Sequence, residues 1–315
     1  MKYLGISSKE ALETLKLESA SEILKVFARA TETREKFFGK KIEMCSIINA
    51  KSGNCPEDCS FCAQSAKSSA KIPKYPLVST DVMLKAALDA AKGGSNRFSI
   101  VTSGRSLTPK QIGKVCLAVA KIAEISGLKA CASLGILDEN ALRKLKISGL
   151  DRYHHNLETA ESHFKKICST KNYSDKLITV KNAKKAGLAI CSGAIFGMGE
   201  KLEQRIELLE TLRNLEVDCI PINFLNPIPG TKLEKIRRLT PFECLKIIAV
   251  ARLMMPRTSI RICGGREVNM RDFQSMIFFA GADSFMSGGY LVTPGRDRAA
   301  DRQMIIDSGY ISSLK

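Results

Sequence analysis

EISGLKACASLG, residues 124–135, combines the end of an amphipathic helix, a glycine and a short apolar run typical of a strand. The same succession occurs at residues 90–101, 146–157, 184–195 and 278–289. A glycine just past a helix can take the left-handed backbone conformation that ends it. The repeated pattern therefore predicts helix-to-strand turns, hence βα units and a parallel sheet. The glycines concerned are Gly94, Gly127, Gly149, Gly187 and Gly281.

Further apolar runs between these repeats complete a set of predicted strands. The set is 42–49, 97–102, 129–134, 152–157, 188–196, 219–225, 259–263 and 283–287. Helices fill the intervals, and the capping box Thr240-Pro241-Phe242-Glu243 predicts a helix that runs to about Met255. These alternations predict an α/β fold, a (β/α)8 barrel of the TIM type, although the pattern alone does not exclude a doubly wound sheet.

The chain length fits such a barrel. It has 315 residues, and a (β/α)8 barrel typically needs roughly 250. Residues 1–40 predict two helices that pack on the barrel, with Ser7-x-x-Glu10 as a helix start, and residues 41–315 form the barrel itself. No secretory signal or membrane-spanning run is found in the sequence, so we expect a cytoplasmic protein with no membrane partner.

The charge balance is strongly basic. The net charge is +17, which favours acidic partners. The lysines are scattered and aromatic residues make up only 6%, so neither a basic stripe nor a stacking platform for nucleic acid is present. We expect no nucleic-acid partner. A lysine-rich composition explains the charge, and an acidic electron-donor protein is a further possibility.

Cysteine usage indicates metal or redox chemistry. There are 11 cysteines, an odd number, in a chain without an export signal, so a disulfide framework is not expected. Four of them fit apolar helix or strand positions and are predicted to be inert buried thiols: Cys116, Cys168, Cys219 and Cys244.

A cluster of three cysteines follows the first predicted strand. The stretch GNCPEDCSFCAQS places Cys55, Cys59 and Cys62 on one loop, at the strand end where active sites of such barrels lie. Zinc is the alternative metal for these cysteines. Structural zinc usually has four protein ligands, however, and no fourth Cys or His is near in sequence. A [4Fe–4S] cluster held by three cysteines leaves one iron open to bind and activate a ligand.

The spacing CxxxCxxC, with Phe61 before the last cysteine, resembles the signature of the radical S-adenosylmethionine (SAM) superfamily. The resemblance implies that SAM chelates the open iron. One electron then cleaves its sulfonium to methionine and a 5′-deoxyadenosyl radical. Phe61 is expected beside SAM.

A more specific resemblance covers about residues 40–295. The stretches NAKSGNCPEDCSFCAQS, LDRYHHNLET, ICSGAIFGMGE, PINFLNPIPGT, AVARLMMP and IRICGGRE resemble the biotin synthase family. The family implies conversion of dethiobiotin to biotin by insertion of sulfur between two unactivated carbons, with one SAM consumed for each hydrogen abstracted.

This resemblance also implies site residues. Gly193 and Ile195 lie in a GxIxGxxE motif similar to one that contacts SAM, and Lys171 lies where the family often has Arg or His near the SAM carboxylate. Asn156 and Glu158 match an Asn and an Asp at the SAM ribose, although Glu has a longer reach than Asp. The predicted substrate contacts are Asn156, Asn223 at the ureido ring, and Thr293 near the carboxylate.

The family also implies an auxiliary cluster that donates the sulfur. In its better-known branch three cysteines and an arginine hold a [2Fe–2S] cluster. Cys131, Cys191 and Arg261 match three of those ligands, but Ser99 replaces the remaining cysteine, and Ser is a poor iron ligand. Alternate strands of a barrel fill one interior layer. We therefore predict an auxiliary [2Fe–2S] or larger cluster bound by cysteines of the odd-numbered strands, with Arg261 beside it: Cys45, Cys131, Cys191 and Cys263.

Other functions remain open from the sequence. A related radical SAM barrel of the hydrogenase-maturase or methylornithine-forming type shares the first cluster and the barrel, and a non-catalytic Fe–S carrier is a further alternative. The resemblance implies an acidic flavodoxin or ferredoxin as electron donor, the Fe–S assembly machinery as a partner, and a homodimer.

Overall fold

The structure is a computed structural model that describes residues 5–313. Parallel strands surround one axis and are enclosed by helices, which confirms the predicted (β/α)8 barrel. The strands are β1 Lys41–Lys51, β2 Arg97–Thr102, β3 Lys129–Ser133, β4 Arg152–His154, β5 Ala189–Cys191, β6 Ala194–Phe196, β7 Cys219–Phe224, β8 Ser259–Ile262, β9 Ser284–Met286 and β10 Ile311–Ser312.

The sheet closes on itself through β1. This strand pairs in parallel with β2 on one side and with β9 on the other, so that Cys45 is opposite both Arg97 and Met286. A doubly wound sheet would leave two open edges, so the closure decides between the two folds left by the sequence. β10 adds a short parallel extension beside the start of β1.

The helices occupy the predicted intervals. They are α1 Ser8–Lys16, α2 Ala20–Phe38, α3 Thr80–Lys92, α4 Pro109–Ala123, α5 Glu139–Ile147, α6 Glu161–Ile167, α7 Tyr173–Lys185, α8 Leu202–Asn214, α9 Pro241–Met254, α10 Arg266–Met270, α11 Met276–Phe279 and α12 Arg298–Asp307, with a 3-10 turn at Arg271–Phe273. Among residues 5–313, no helix combines the length and apolar character needed to cross a bilayer.

The glycines that predicted the turns adopt the expected conformation. Their φ angles are 86° at Gly94, 76° at Gly127, 97° at Gly149, 76° at Gly187 and 104° at Gly281. A side chain at such an angle is strained, so glycine is the residue that ends these helices at low cost and turns the chain into the next strand.

The N-terminal helices pack against α9. Ser7 caps α1 by accepting the Glu10 N–H at 3.2 Å, which confirms the predicted start. The Lys246 ammonium on α9 donates to the Leu15 and Leu17 carbonyl oxygens at 2.8 and 2.7 Å, and satisfies the end of α1. These contacts cover the outer face of α9, which is buried along its length.

Two strands differ from the prediction. The fourth ends at His154 because the chain turns there, and Glu158 has a φ of +75°. The fifth is interrupted between β5 and β6 at Ser192 and Gly193, where the Gly193 N–H bonds to the Asn156 side chain instead of a neighbouring strand. Both departures lie at the C-terminal end of the barrel.

The capping box at α9 is confirmed and carries a pH dependence. Thr240 Oγ1 accepts the Glu243 N–H at 3.2 Å, and Glu243 Oε2 accepts the Thr240 N–H at 2.7 Å. Partial burial opposes ionisation of Glu243, but hydrogen bonds from Arg237 and Thr240 outweigh it and lower the pKa of the carboxyl to about 2.

We expect Glu243→Ala to lower the free energy of unfolding by about 1 kcal/mol at pH 7. A depressed carboxyl pKa contributes stability above the unfolded value, and this contribution is lost as the pH falls from about 4.5 toward about 2. The difference between variant and parent should therefore shrink over that range in urea titrations. Glu32→Ala, at an exposed helical site, is the control and should stay within about 0.5 kcal/mol at every pH. A constant difference down to pH 2 would contradict the assignment.

Candidate functional site

A pocket opens at the C-terminal ends of the strands, which we call the upper pocket. Most of the residues predicted to bind the cluster, SAM or substrate line it: Cys55, Cys59, Phe61, Cys62, Asn156, Glu158, Lys171, Ile195, Asn223 and Thr293. They come from β6, β7 and the loops after β1, β4 and β9, and only the closed barrel brings them to one mouth.

The cysteine loop is fixed by hydrogen bonds rather than by regular structure. The Ser60 N–H and hydroxyl both donate to the Ile167 carbonyl at 2.9 Å, and the Cys62 N–H donates to the Cys59 carbonyl at 3.0 Å. The Asp58 carboxylate accepts the backbone N–H groups of Ser169 and Thr170 at 2.9 and 3.2 Å. The segment after α6 therefore clamps the loop from outside.

Cys168 belongs to this clamp. It is buried in the hydrophobic core, as predicted, but its Sγ also lies 3.6 Å from Cys59 Sγ and 3.3 Å from Asp58 Oδ1. The hydrogen bond from the Cys59 thiol lowers the pKa of Cys168 to about 6. Of the other predicted packing cysteines, Cys244 is fully buried and Cys116 only half-buried.

Asn156 is held with one side turned to the protein. Its Oδ1 accepts the Gly193 N–H at 3.1 Å and is 2.8 Å from His154 Nε2. Burial lowers the pKa of His154, so the neutral imidazole donates through Nε2. The Asn156 amide N–H groups remain for the pocket.

Gly193 lies behind the residues that line the upper pocket. Among residues 5–313, it is not one of the lining residues itself. A Cβ on this glycine would meet the Pro221 carbonyl oxygen at 2.0 Å. The close approach in the structure is thus between adjacent strands. The Gly193 carbonyl oxygen also accepts the Leu157 and Glu158 N–H groups at 3.0 and 3.2 Å. These hydrogen bonds fix the turn after β4 that carries Glu158.

A buried lysine that the sequence did not single out lies beneath Glu158. Lys176 Nζ donates to the Asn156 carbonyl at 2.8 Å and lies 3.8 Å from Glu158 Oε1. Burial lowers the pKa of Lys176, and the Glu158 charge opposes that shift. Glu158 Oε2 has no hydrogen-bond partner in the described part of the chain, so one oxygen remains for a polar ligand.

The GxIxGxxE motif closes the rim beside Ile195. Glu200 accepts the Gly197 and Met198 N–H groups at 2.9 and 2.7 Å and pairs with Arg205 Nε at 2.8 Å. Its carboxylate is therefore used inside the protein, to shape the turn.

Tyr290, which the sequence did not single out, contacts both Asn223 and Thr293. The Asn223 Oδ1 accepts the Gly264 N–H and the Tyr290 hydroxyl, each at 2.9 Å. Tyr290 pairs with Thr293 in a short turn through backbone hydrogen bonds of 3.0 and 2.8 Å. Nothing in the sequence around Tyr290 distinguishes it from other loop residues.

Deeper in the barrel is a second, enclosed space, which we call the lower cavity. Its lining includes all four cysteines predicted for the auxiliary site together with Arg261: Cys45, Cys131, Cys191 and Cys263. Ser99, at the position of the missing fourth ligand of the better-known branch, also lines it. His154 and Met286 line both the lower cavity and the upper pocket, so the two spaces are neighbours.

Two buried arginines face the lower cavity with unsatisfied donors. Nε and Nη1 of Arg152, and Nε and Nη2 of Arg261, have no hydrogen-bond partner within residues 5–313. Burial opposes the charge on Arg261, but Coulombic attraction to the nearby Cys219 sulfur raises its pKa well above the usual range. Arg261 Nη2 lies 3.7 Å from Glu43 Oε2, an ion pair without a hydrogen bond. Guanidinium donors that lack hydrogen-bond partners beside several thiols fit an anionic sulfur-rich group.

Burial raises the pKa of Cys45 to about 11 and that of Cys263 well above its usual range. These thiols are therefore protonated without a metal, and metal binding would release their protons. Within the described chain, no three Cys, His, Asp or Glu side chains converge closely enough to enclose a single metal ion. An iron–sulfur cluster is larger than an ion, and its ligands are spaced more widely.

Strand alternation also indicates that Cys219 and Arg152 face the barrel interior. Cys219 lies two and four residues before the inward-facing Pro221 and Asn223, and it is opposite Cys191 in the strand register. Cys219 is fully buried, as predicted, and it also borders the proposed ligand set. Arg152 shares a strand face with His154.

The comparisons with known proteins agree with this geometry. The Radical SAM superfamily profile matches residues 50–212, and the Biotin and Thiamin Synthesis associated domain matches residues 221–311. The biotin synthase of Geotalea uraniireducens is 48% identical over 304 residues, which span 96% of this chain and 92% of that protein. The chain belongs to the biotin synthase family. The family member of Geobacter sulfurreducens is 47% identical over 305 residues, 96% of this chain and 92% of its own.

Membership makes this chain a radical SAM sulfurtransferase of biotin synthesis, an enzyme that uses a [4Fe–4S] cluster and SAM. Solved structures share the fold. Methylornithine synthase superposes with a TM-score of 0.86 at 20% identity, covering 99% of this chain and 95% of that one. A FeFe-hydrogenase maturase from Carboxydothermus hydrogenoformans gives 0.84 at 18% identity, covering 98% and 76%. At these identities the likeness concerns architecture alone.

Proposed function

We propose that this chain converts dethiobiotin to biotin by taking sulfur from a cluster in the lower cavity while SAM is cleaved in the upper pocket. The observation that carries the proposal is the contact between the two spaces, which share His154 and Met286. A substrate at that boundary is within reach of both a hydrogen-abstracting group above and a sulfur donor below.

The upper site provides binding and orientation. When bound, the [4Fe–4S] cluster and SAM supply the 5′-deoxyadenosyl radical that abstracts hydrogen from the substrate. Cys55, Cys59 and Cys62 would hold the cluster, since their loop is already fixed by the α6 clamp. Lys171 places a positive charge beside the pocket, suited to the SAM carboxylate, though without the bidentate fork of arginine.

The other proposed contacts to SAM and to the substrate also line the upper pocket. Phe61 and Ile195 offer apolar surface, and Glu158 has an unpaired oxygen for ribose hydroxyls. Asn156 presents amide donors because its Oδ1 is occupied by protein. Asn223 and Thr293 line the same pocket. Asn223 would bind the ureido ring of dethiobiotin, and Thr293 would lie near its carboxylate.

We propose Cys45, Cys131, Cys191 and Cys263 as ligands of the auxiliary cluster, with Arg261 alongside. Their shared cavity supports the set, and the unpaired donors of Arg152 and Arg261 would bond to its sulfides. Four thiolates suit a cluster of [2Fe–2S] size or larger, and a cluster with a spare sulfide would serve as donor. Ser99 would be a neighbour rather than a ligand.

Partners follow from the proposed chemistry. Cleavage of SAM needs one electron, and a net charge of +17 favours an acidic donor of the flavodoxin or ferredoxin type. Fe–S assembly proteins would load both clusters. A homodimer and a cytoplasmic location remain proposals.

The activity is tested by anaerobic reconstitution with iron and sulfide, followed by SAM, reductant and dethiobiotin. We expect 5′-deoxyadenosine whose formation depends on dethiobiotin, and a product heavier than dethiobiotin by one sulfur less two hydrogens. A related radical SAM enzyme would form 5′-deoxyadenosine without that dependence, and a passive Fe–S carrier would form none. Either result would reject the proposal.

The cluster ligands are tested by comparing adjacent thiols. We expect Cys59→Ala to lose the SAM-binding [4Fe–4S] cluster and all SAM cleavage, because three thiolates are the minimum that hold it. Cys168→Ala is the matched control, since its sulfur is only 3.6 Å from that of Cys59 and it should keep the cluster. Iron analysis and the electron paramagnetic resonance of the reduced protein measure both. Loss of the cluster in Cys168→Ala alone would reverse the assignment.

The auxiliary set is tested by iron and sulfide counts. Cys45→Ala and Cys263→Ala should each lower the iron and sulfide of the auxiliary cluster while SAM cleavage persists, and biotin formation should fall at least about 100-fold. Cys244→Ala, at another buried cysteine outside the cavity, should leave both counts unchanged. Unaltered auxiliary content in both ligand variants would reject the four-cysteine set.

A further inference from the structure

Tyr290 occupies the floor of the upper pocket at the boundary with the lower cavity. Its ring packs against the group formed by Cys45, Cys263 and Met286. Gly264 makes room for it, because a Cβ on that glycine would lie 2.6 Å from the tyrosine Cε1. The ring is thus fixed at the level where the proposed substrate lies between the two clusters.

The hydrogen bonds of Asn223 show what this residue can still offer a ligand. Both acceptor positions of Oδ1 are taken, by the Gly264 N–H and the Tyr290 hydroxyl at 2.9 Å each. One amide hydrogen donates to the Ala194 carbonyl at 2.9 Å. A carboxamide has two donors and two acceptor positions. Asn223 therefore retains one N–H donor and no acceptor.

Tyr290 supplies the missing acceptor. Its hydroxyl hydrogen is committed to Asn223, and within residues 5–313 no donor reaches the phenol oxygen, which keeps a free lone pair. A phenol hydroxyl is protonated at neutral pH, so Tyr290 keeps its donor role toward Asn223. The joined side chains present one donor and one acceptor next to each other.

A cyclic urea carries the opposite pair, a carbonyl acceptor beside an N–H donor. We propose that Tyr290 is a further substrate-binding residue: its phenol oxygen accepts one ureido N–H of dethiobiotin while Asn223 Nδ2 donates to the ureido carbonyl. This inference rests on the proposed function and adds a contact that Asn223 cannot make alone, because the tyrosine already covers Oδ1.

The competing interpretation is that substrate displaces Tyr290 from Asn223. The two have opposite consequences for Tyr290→Phe. The phenyl ring would still cover Asn223 Oδ1, so a lost acceptor weakens binding, whereas removal of a competing hydroxyl strengthens it.

The test is the dissociation constant of dethiobiotin for the anaerobic holoenzyme with SAM and without reductant, measured by calorimetry. We expect Tyr290→Phe to bind roughly tenfold more weakly, because one hydrogen bond in a desolvated pocket is lost. Tyr310→Phe, whose hydroxyl bonds Glu35 on α2 away from the pocket, is the control and should match the parent. Equal or tighter binding by Tyr290→Phe would overturn the proposal.

A second measurement separates a direct contact from a structural effect. Two lactam analogues, each with one ureido N–H replaced by a methylene, are compared with dethiobiotin. The parent should reject one lactam more strongly than the other, and Tyr290→Phe should lose that difference. If the variant keeps the full discrimination, Tyr290 does not contact the substrate. If the parent itself fails to bind dethiobiotin, the proposed function fails instead.

Discussion

The pairing of β1 with β9 is the constraint on which the rest of the molecule depends. It turns an open parallel sheet into a closed barrel and fixes Cys45 opposite Met286 on one side and Arg97 on the other. Closure forces every inward side chain into one interior of fixed size. It also brings the C-terminal loops to a single mouth, so the cysteine loop after β1 and Asn223 on β7 line one pocket.

Within that interior, charge and hydrogen-bond capacity are distributed unevenly. Around the lower cavity, Arg152 and Arg261 keep unsatisfied donors among buried thiols, an arrangement that costs stability unless an anionic group completes it. In the upper pocket the polar side chains are already oriented by hydrogen bonds to other protein groups. Asn156 and Asn223 each spend their acceptor capacity on the protein and keep amide donors for a ligand. This preorganisation reduces the ordering that a bound substrate requires.

The barrel alone does not specify the reaction. Methylornithine synthase shares the architecture over almost the whole chain at 20% identity, and the same framework supports different chemistries through its loops and interior. In this chain an interior of thiols and arginines lies directly below the upper pocket, with Met286 and His154 between the two spaces. A sulfur donor placed there would meet a substrate radical before solvent does.

The sequence by itself determined the alternating βα units and the cysteine loop, because both depend on local spacing. A glycine after a helix and a strand after that glycine need no distant partner, and three thiols within eight residues lie on one loop in any fold. The family resemblance also implied Cys131 and Cys191, and strand alternation places Cys263, two residues after Arg261, on the same face. Alternation specifies a face, however, and not a depth or a neighbour.

The tertiary structure alone decided which side chains touch. Cys168 meets Cys59 across more than a hundred residues, Lys176 reaches back beneath Glu158, and Tyr290 joins Asn223 from the last turn of the barrel. Such contacts depend on strand register and loop path, which arise when the barrel closes. The sequence therefore fixed the kind of chemistry, and the packing of the closed barrel fixed the partners that orient it.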